Sequence, residues 1–236
     1  YMRLDLLQDD YVTAHNLDQI GRTEDLRFGT QLSAELGVSQ AALGANRNAF
    51  VASLGASRGY RLVHEQSLFL AGSWGSRLEG GSLRDSLLSV SSRYFWRASG
   101  KTVLFVGFAA DKGSALDLDH ELMLGGDTGL RGYPLRYQTG TARALLTVEG
   151  RYFTNWYPLR LARVGAAVFA DIGRTWGASA LAVPELGTLR DVGIGLRFGN
   201  TRSALGNVLH VDLAFPLDGD PSVKSMQFLL KTYKSF

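Results

Sequence analysis

Arg163-Val164-Gly165-Ala166-Ala167-Val168-Phe169-Ala170-Asp171-Ile172-Gly173 decides the fold class. Val164, Ala166, Val168, Ala170 and Ile172 alternate with Arg163, Gly165, Phe169, Asp171 and Gly173. A period of two places successive side chains on opposite faces of a strand, one apolar and one mixed. The pattern recurs outward from this segment. Leu26, Phe28, Leu32, Ala34 and Leu36 alternate with Arg27, Gly29, Gln31, Ser33 and Glu35. Leu88, Val90, Tyr94 and Trp96 alternate with Ser89, Ser91 and Arg93. Leu104, Val106 and Phe108 alternate with Phe105 and Gly107, and Val192, Ile194 and Leu196 with Gly193, Gly195 and Arg197. No helical period is sustained.

Composition narrows the classes. The chain has 236 residues, enough for one domain or one barrel spanning 1–236. Cysteine is absent, which excludes disulfides and thiolate metal sites. The four histidines, His15, His64, His120 and His210, lack ligand spacing, so neither a metal nor another cofactor is expected. A net charge of +3 without a basic cluster gives no reason to expect nucleic acid. Twenty-eight glycines against five prolines suit many strands and turns. No apolar run reaches the roughly 18 residues of a spanning helix. The chain opens at Tyr1 without a charged-then-apolar leader, which reads as a mature or trimmed chain.

Alternation of this kind fits a soluble sandwich or a membrane barrel. Long strands, charges and glycines on the polar face, and aromatics near strand ends favour the barrel. The aromatics are Trp74, Tyr94, Trp96, Tyr152, Trp156, Trp176, Tyr233 and Phe236, the last two closing the C-terminal strand. The expectation is an all-β, closed, antiparallel transmembrane barrel of about twelve strands. They lie near 1–11, 24–37, 46–58, 64–78, 83–98, 101–112, 117–124, 139–155, 162–175, 188–199, 207–215 and 225–236. Counting back from Phe236 puts 12–23, 125–138, 176–187 and 216–224 on one side. The turns near 38–45, 79–82, 112–116, 156–161 and 200–206 fall on the other. Leu26, Phe28, Leu32, Leu104, Val106, Phe108, Val168, Ile194 and Leu196 would face lipid.

One connection stands out. Gly125-Gly126-Asp127-Thr128-Gly129-Leu130-Arg131-Gly132-Tyr133-Pro134 is too long and glycine-rich for a tight hairpin. Gly125, Gly126 and Gly129 read as loop hinges, with Arg131 at the centre. On the strand that follows, Arg143, Thr147, Glu149 and Arg151 share the inward parity, and Asp171 shares it on the next. Arg131 folding inward would meet both acids as a bidentate fork. Cross-strand pairing of the acids with Arg143, Arg151, Arg163 or Arg197 is the alternative, and parity alone does not choose.

GGDTGLRGYP, the Glu149 strand and Phe169-Ala170-Asp171-Ile172-Gly173, in that order, resemble the BamA/TamA/FhaC superfamily of outer-membrane assembly and secretion barrels. The resemblance implies a loop tip, Arg131, Gly132 and Tyr133, folded into the lumen against Glu149 and Asp171. It also implies the FxDxG motif Phe169, Asp171 and Gly173, and residence in the bacterial outer membrane. The five strands after the loop match the family's usual end. The family norm of sixteen strands and its periplasmic POTRA domains are not matched, so a missing N-terminal periplasmic domain is one expected partner.

The expected function is insertion or secretion of client proteins, with the loop plugging and bracing the lumen. Its partners would be the lipid bilayer and unfolded client strands or a secreted protein. A structural anchor for a fused or partner soluble domain, such as a patatin-like lipase, is the alternative, and a small porin-like channel a third. No GxSxG, metal-ligand spacing or phosphate loop points to an enzyme. Asp117, Asp119 and Glu121 alternate on a strand without an EF-hand loop.

Overall fold

A computed structural model describes residues 1–117, 120–178, 186–200 and 207–234, with the backbone alone at 233 and 234. Phe236, Asp119 and the turn 201–206 lie outside the described residues. The chain is all-β, 65% strand and 3% helical. Fifteen strands follow in order: β1 Met2–Leu7, β2 Tyr11–His15, β3 Thr23–Arg27, β4 Gln31–Ser39, β5 Ala49–Arg61, β6 Gln66–Glu79, β7 Ser82–Arg97 and β8 Thr102–Ser114. Then come β9 Leu122–Leu124, β10 Gln138–Gly140, β11 Ala142–Phe153, β12 Ala162–Trp176, β13 Leu189–Asn200, β14 Asn207–Pro216 and β15 Gln227–Lys234.

Eleven of them form one antiparallel sheet, in the order β1-β4-β5-β6-β7-β8-β11-β12-β13-β14-β15. No sheet is closed into a barrel. Among the described residues β1 pairs only with β4, and β15 only with β14. The expected closed wall of twelve is therefore an open wall of eleven. One expected wall segment went elsewhere, and another gave the wall only its second half. Of the described residues in 117–124, Leu122–Leu124 form β9, which pairs with β10 as the stem of the glycine loop (Gln138 opposite Leu124). β8 pairs directly with β11 instead. The alternation through 24–37 is broken at Gly29-Thr30. Its first half, β3, pairs with β2 as a separate hairpin.

These changes also move the ends. The turns 40–48 and 80–81 lie at the same end of the sheet as the insertion 115–141, and the segment 8–30 lies at the opposite end. Leu26 and Phe28 turn inward rather than outward. Phe28 is buried, its ring 5.2 Å from that of Phe69.

The two faces of the wall are sharply different. Along β12, Ala166, Val168, Ala170 and Ile172 are exposed, while Ala167, Phe169, Asp171 and Gly173 are buried. Register carries the outward row across the sheet: Gly150, Val168, Ile194, Leu213 and Phe228 are successive neighbours on five strands. Leu32, Phe108, Val168, Ile194 and Leu196 are exposed, whereas Leu104 and Val106 are half-buried, as are Phe105 and Gly107 of the opposite parity. Trp96 and Tyr152 stand outward near one end and Trp176 near the other. Tyr233 lies opposite Val208.

The inward face is covered by the chain's own insertions. From one end, the β2–β3 hairpin brings Leu17 and Ile20 against Phe95, Val103, Phe153 and Val208. From the other end comes the loop carried by β9 and β10, whose Leu124, Leu130 and Tyr133 pack on Leu189.

Candidate functional site

The loop holds its own shape before it meets the wall. The Gly125 carbonyl accepts amides from Thr128, Gly129 and Leu130, each at 3.0 Å. The Thr128 hydroxyl accepts from the Gly125 amide at 2.8 Å. A Cβ on Gly126 would lie 2.8 Å from the Tyr133 carbonyl oxygen, and one on Gly125 would overlap the Pro134 carbonyl. Gly129 adopts φ +123°, a conformation costly for other residues. The three glycines serve close packing and a tight reversal more than free reach.

The stem is fastened on both sides. Arg143 of β11 donates to Asp111 of β8 at 2.6 Å and to the Met123 carbonyl at 3.0 Å. Gln138 donates to the Gly187 carbonyl at 2.8 Å and accepts the Thr175 amide at 2.9 Å. Lys231 of β15 donates to the Asp127 carbonyl at 2.6 Å.

Arg131 enters the interior as expected and is 6% exposed. Its Nε and Nη2 fork the Asp171 carboxylate at 2.7 and 3.0 Å, and its Nη1 donates to Glu149 at 2.8 Å. The planar fork matches a carboxylate in a way an ammonium does not. The guanidinium carbon lies 3.3 Å above the Phe169 ring. The FxDxG segment thus supplies three separate things. Phe169 gives an apolar platform and Asp171 the anion. Gly173 gives clearance, since a Cβ there would stand 3.2 Å from the Leu124 and Leu145 side chains.

Cross-strand pairing and loop pairing both occur. Arg197 of β13 donates to Glu149 at 2.9 Å and to Asp212 of β14. Arg151 donates to Glu149 at 2.9 Å and reaches Asp18 on the β2–β3 hairpin at 2.7 Å. Thr147 donates to Asp171 at 2.7 Å. Three buried arginines therefore share Glu149. Asp212, whose inward parity on β14 was readable beside His210, also contacts Arg131 at 3.5 Å and was not singled out from sequence.

The rest of the tip is seated by shape. A Cβ on Gly132 would stand 2.5 Å from Asp191 Cβ and 3.0 Å from the Pro216 nitrogen. The Tyr133 ring stacks on Tyr137, centroids 5.5 Å apart. Its hydroxyl lies 2.8 and 2.9 Å from the Arg190 and Asp218 carbonyl oxygens, donating to this pair, and accepts the Asp218 amide at 3.2 Å. Arg190 also forks Asp218, which holds that exposed carboxyl below its ordinary range. Asp191 is fully buried, directly across from Asp171, and neither of its oxygens accepts a well-formed hydrogen bond.

Among the described residues no group of acids and histidines is arranged to hold a metal ion. Asp117 instead receives a fork from Arg77 at 3.0 and 3.1 Å, which lowers its pKa. Glu149, Asp171, Asp212 and Asp18 are each engaged by an arginine, an arrangement that fixes position. Compared with protein-family models and with curated proteins, the chain has no match.

Proposed function

We propose that this chain is the wall of a bacterial outer-membrane barrel of the assembly or translocation type. In this reading the Arg131 loop braces the interior, and the gap between β1 and β15 receives a strand of a client protein. The observation that carries it is the pair of free edges. Eleven antiparallel strands leave the first and last running in the same direction. A single strand added between them would be antiparallel to both and would bring the count to an even number, the norm for such barrels. Both edges offer unpaired backbone groups, which in hydrocarbon demand a partner. The continuous outward apolar face supports a lipid contact, and the sequence resemblance supplies the class of client.

In this reading the chain performs no catalysis. The insertions that cover the inward face favour a second reading, an anchor for a soluble domain with no client strand. One experiment separates them. Liposomes carrying the protein should fold a urea-unfolded small outer-membrane barrel faster than empty liposomes. A photo-crosslinking residue at Leu4 or Leu230 should capture that client. Equal rates and no adduct would leave the anchor.

A further inference from the structure

The β2–β3 hairpin has no role in the reading above, yet it is held as firmly as the Arg131 loop. Leu17 is 4% and Ile20 2% exposed. A Cβ on Gly199 would stand 3.0 Å from Ile20, so the wall is cut to fit it. Glu24 ties the hairpin's own turn, accepting the Leu17 amide at 2.7 Å and the Asp18 amide at 2.9 Å. Asn16 donates to the Gly100 carbonyl at 3.3 Å, Arg22 to the Asn200 carbonyl at 3.4 Å, and Arg97 to the His15 carbonyl at 3.1 Å. These anchors all sit at the end of the wall opposite the Arg131 loop.

The two insertions meet through one chain of charges. Asp18 pairs with Arg151 at 2.7 Å, Arg151 with Glu149 at 2.9 Å, Glu149 with Arg131 at 2.8 Å, and Arg131 with Asp171 at 2.7 Å. A cavity of about 350 Å³ lies between the hairpin and the wall, and one of about 480 Å³ between the two insertions; both are lined by Asp18 and Arg93. Asp18 thus stands where the hairpin, the charge chain and both cavities come together.

We infer that residues 8–30 are a displaceable plug for one end of the interior, latched by Asp18–Arg151 to the same carboxylate that holds Arg131. Drawing the plug takes a counter-charge from Arg151, redistributes Glu149 among its arginines and loosens the loop at the far end. It also joins the two cavities to that end of the wall. The permeability part of this inference rests on the membrane-wall reading; the coupling part does not.

The absence of cysteine makes the test clean. In detergent, Asp18→Asn should speed amide hydrogen exchange at Leu130–Tyr133 by about tenfold, while Asp25→Asn on the same hairpin leaves it unchanged. In planar bilayers, Asn16→Cys/Gly100→Cys should conduct little when oxidised and more when reduced, and Asp18→Asn more than wild type. Unchanged exchange in Asp18→Asn overturns the coupling. Equal conductance in the locked, reduced and Asp18→Asn proteins overturns the plug. Protein that does not enter bilayers at all contradicts the membrane reading, and exchange in detergent still decides the coupling.

Discussion

Arg131 lies flat on the ring of Phe169, 3.3 Å from guanidinium carbon to centroid, while forking Asp171 two residues further along the same strand. One short segment of β12 therefore supplies both the anion and the apolar face that a buried arginine needs. Removing the arginine strands its partners. Arg131→Ala should destabilise the protein by about 3–5 kcal/mol, because Asp171 and Glu149 are both buried. Arg131→Lys should recover the charge but only part of the stability, lacking the fork. Denaturant unfolding in detergent, with protease cleavage in 125–138, measures both; an Ala variant as stable as wild type refutes the bracing role.

Gly132→Ala tests fit without touching charge. The added methyl meets Asp191 Cβ and the Pro216 backbone, which cannot yield as a flexible side chain does. The expected cost is about 1–3 kcal/mol, with weakened tyrosine ellipticity as Tyr133 leaves its seat against Tyr137.

Asp191→Asn should go the other way. The carboxylate is buried opposite Asp171 without a hydrogen-bond donor of good geometry. An amide of the same shape offers Asp171 a donor at every pH. A gain of about 1 kcal/mol is expected, read as a higher unfolding midpoint; a loss would mean that Asp191 contributes a contact that the amide cannot replace.

Acid should loosen the tip at its rim. Asp218 has a depressed folded-state pKa because Arg190 donates to it, so its contribution is present above the unfolded value near about 4 and disappears as pH falls through the lower folded one. Arg190 is exposed and the pair is screened, so the effect is small. Hydrogen exchange at 217–223 should rise below about pH 4 in wild type, and Asp218→Asn should show the raised rate at neutral pH already.

The outward face makes a separate prediction. Val168→Arg, at the middle of the apolar row, should cost roughly 2–4 kcal/mol of folding into lipid vesicles. Ser91→Arg, lining an interior cavity, should cost little. Equal costs would contradict a lipid-facing wall.

Much of this site was legible because β-strand parity is a strict rule. Glu149, Thr147, Arg151 and Asp171 point where a count of twos places them. Parity cannot say which partner an inward charge takes, and Glu149 in fact takes three. It also cannot say which sheet an alternating segment joins. Leu26 to Leu36 alternates in sequence except at Thr30, yet the chain bends at Gly29, whose missing Cβ leaves room for the Gln8 backbone. The apolar 117–124 segment misled for a related reason. Leu122 and Leu124 are buried against the loop and wall from inside, a demand for apolar residues equal to that of a membrane face.

The hub draws its members unevenly from the chain. Arg131 touches β11, β12 and β14, and Tyr133 and Gly132 rest on β13 and its flank. At the other extreme, all six residues of β1 are exposed, and among the described residues only β4 pairs with them. Unfolding should therefore not be all-or-none. The strands from β11 onward and the loop form one cooperative block, opened only by breaking its buried ion pairs together. β1 and β4 frays first. The first strand is then the least costly part of the wall to peel away, and the molecule carries a built-in order of opening from its N-terminal edge inward.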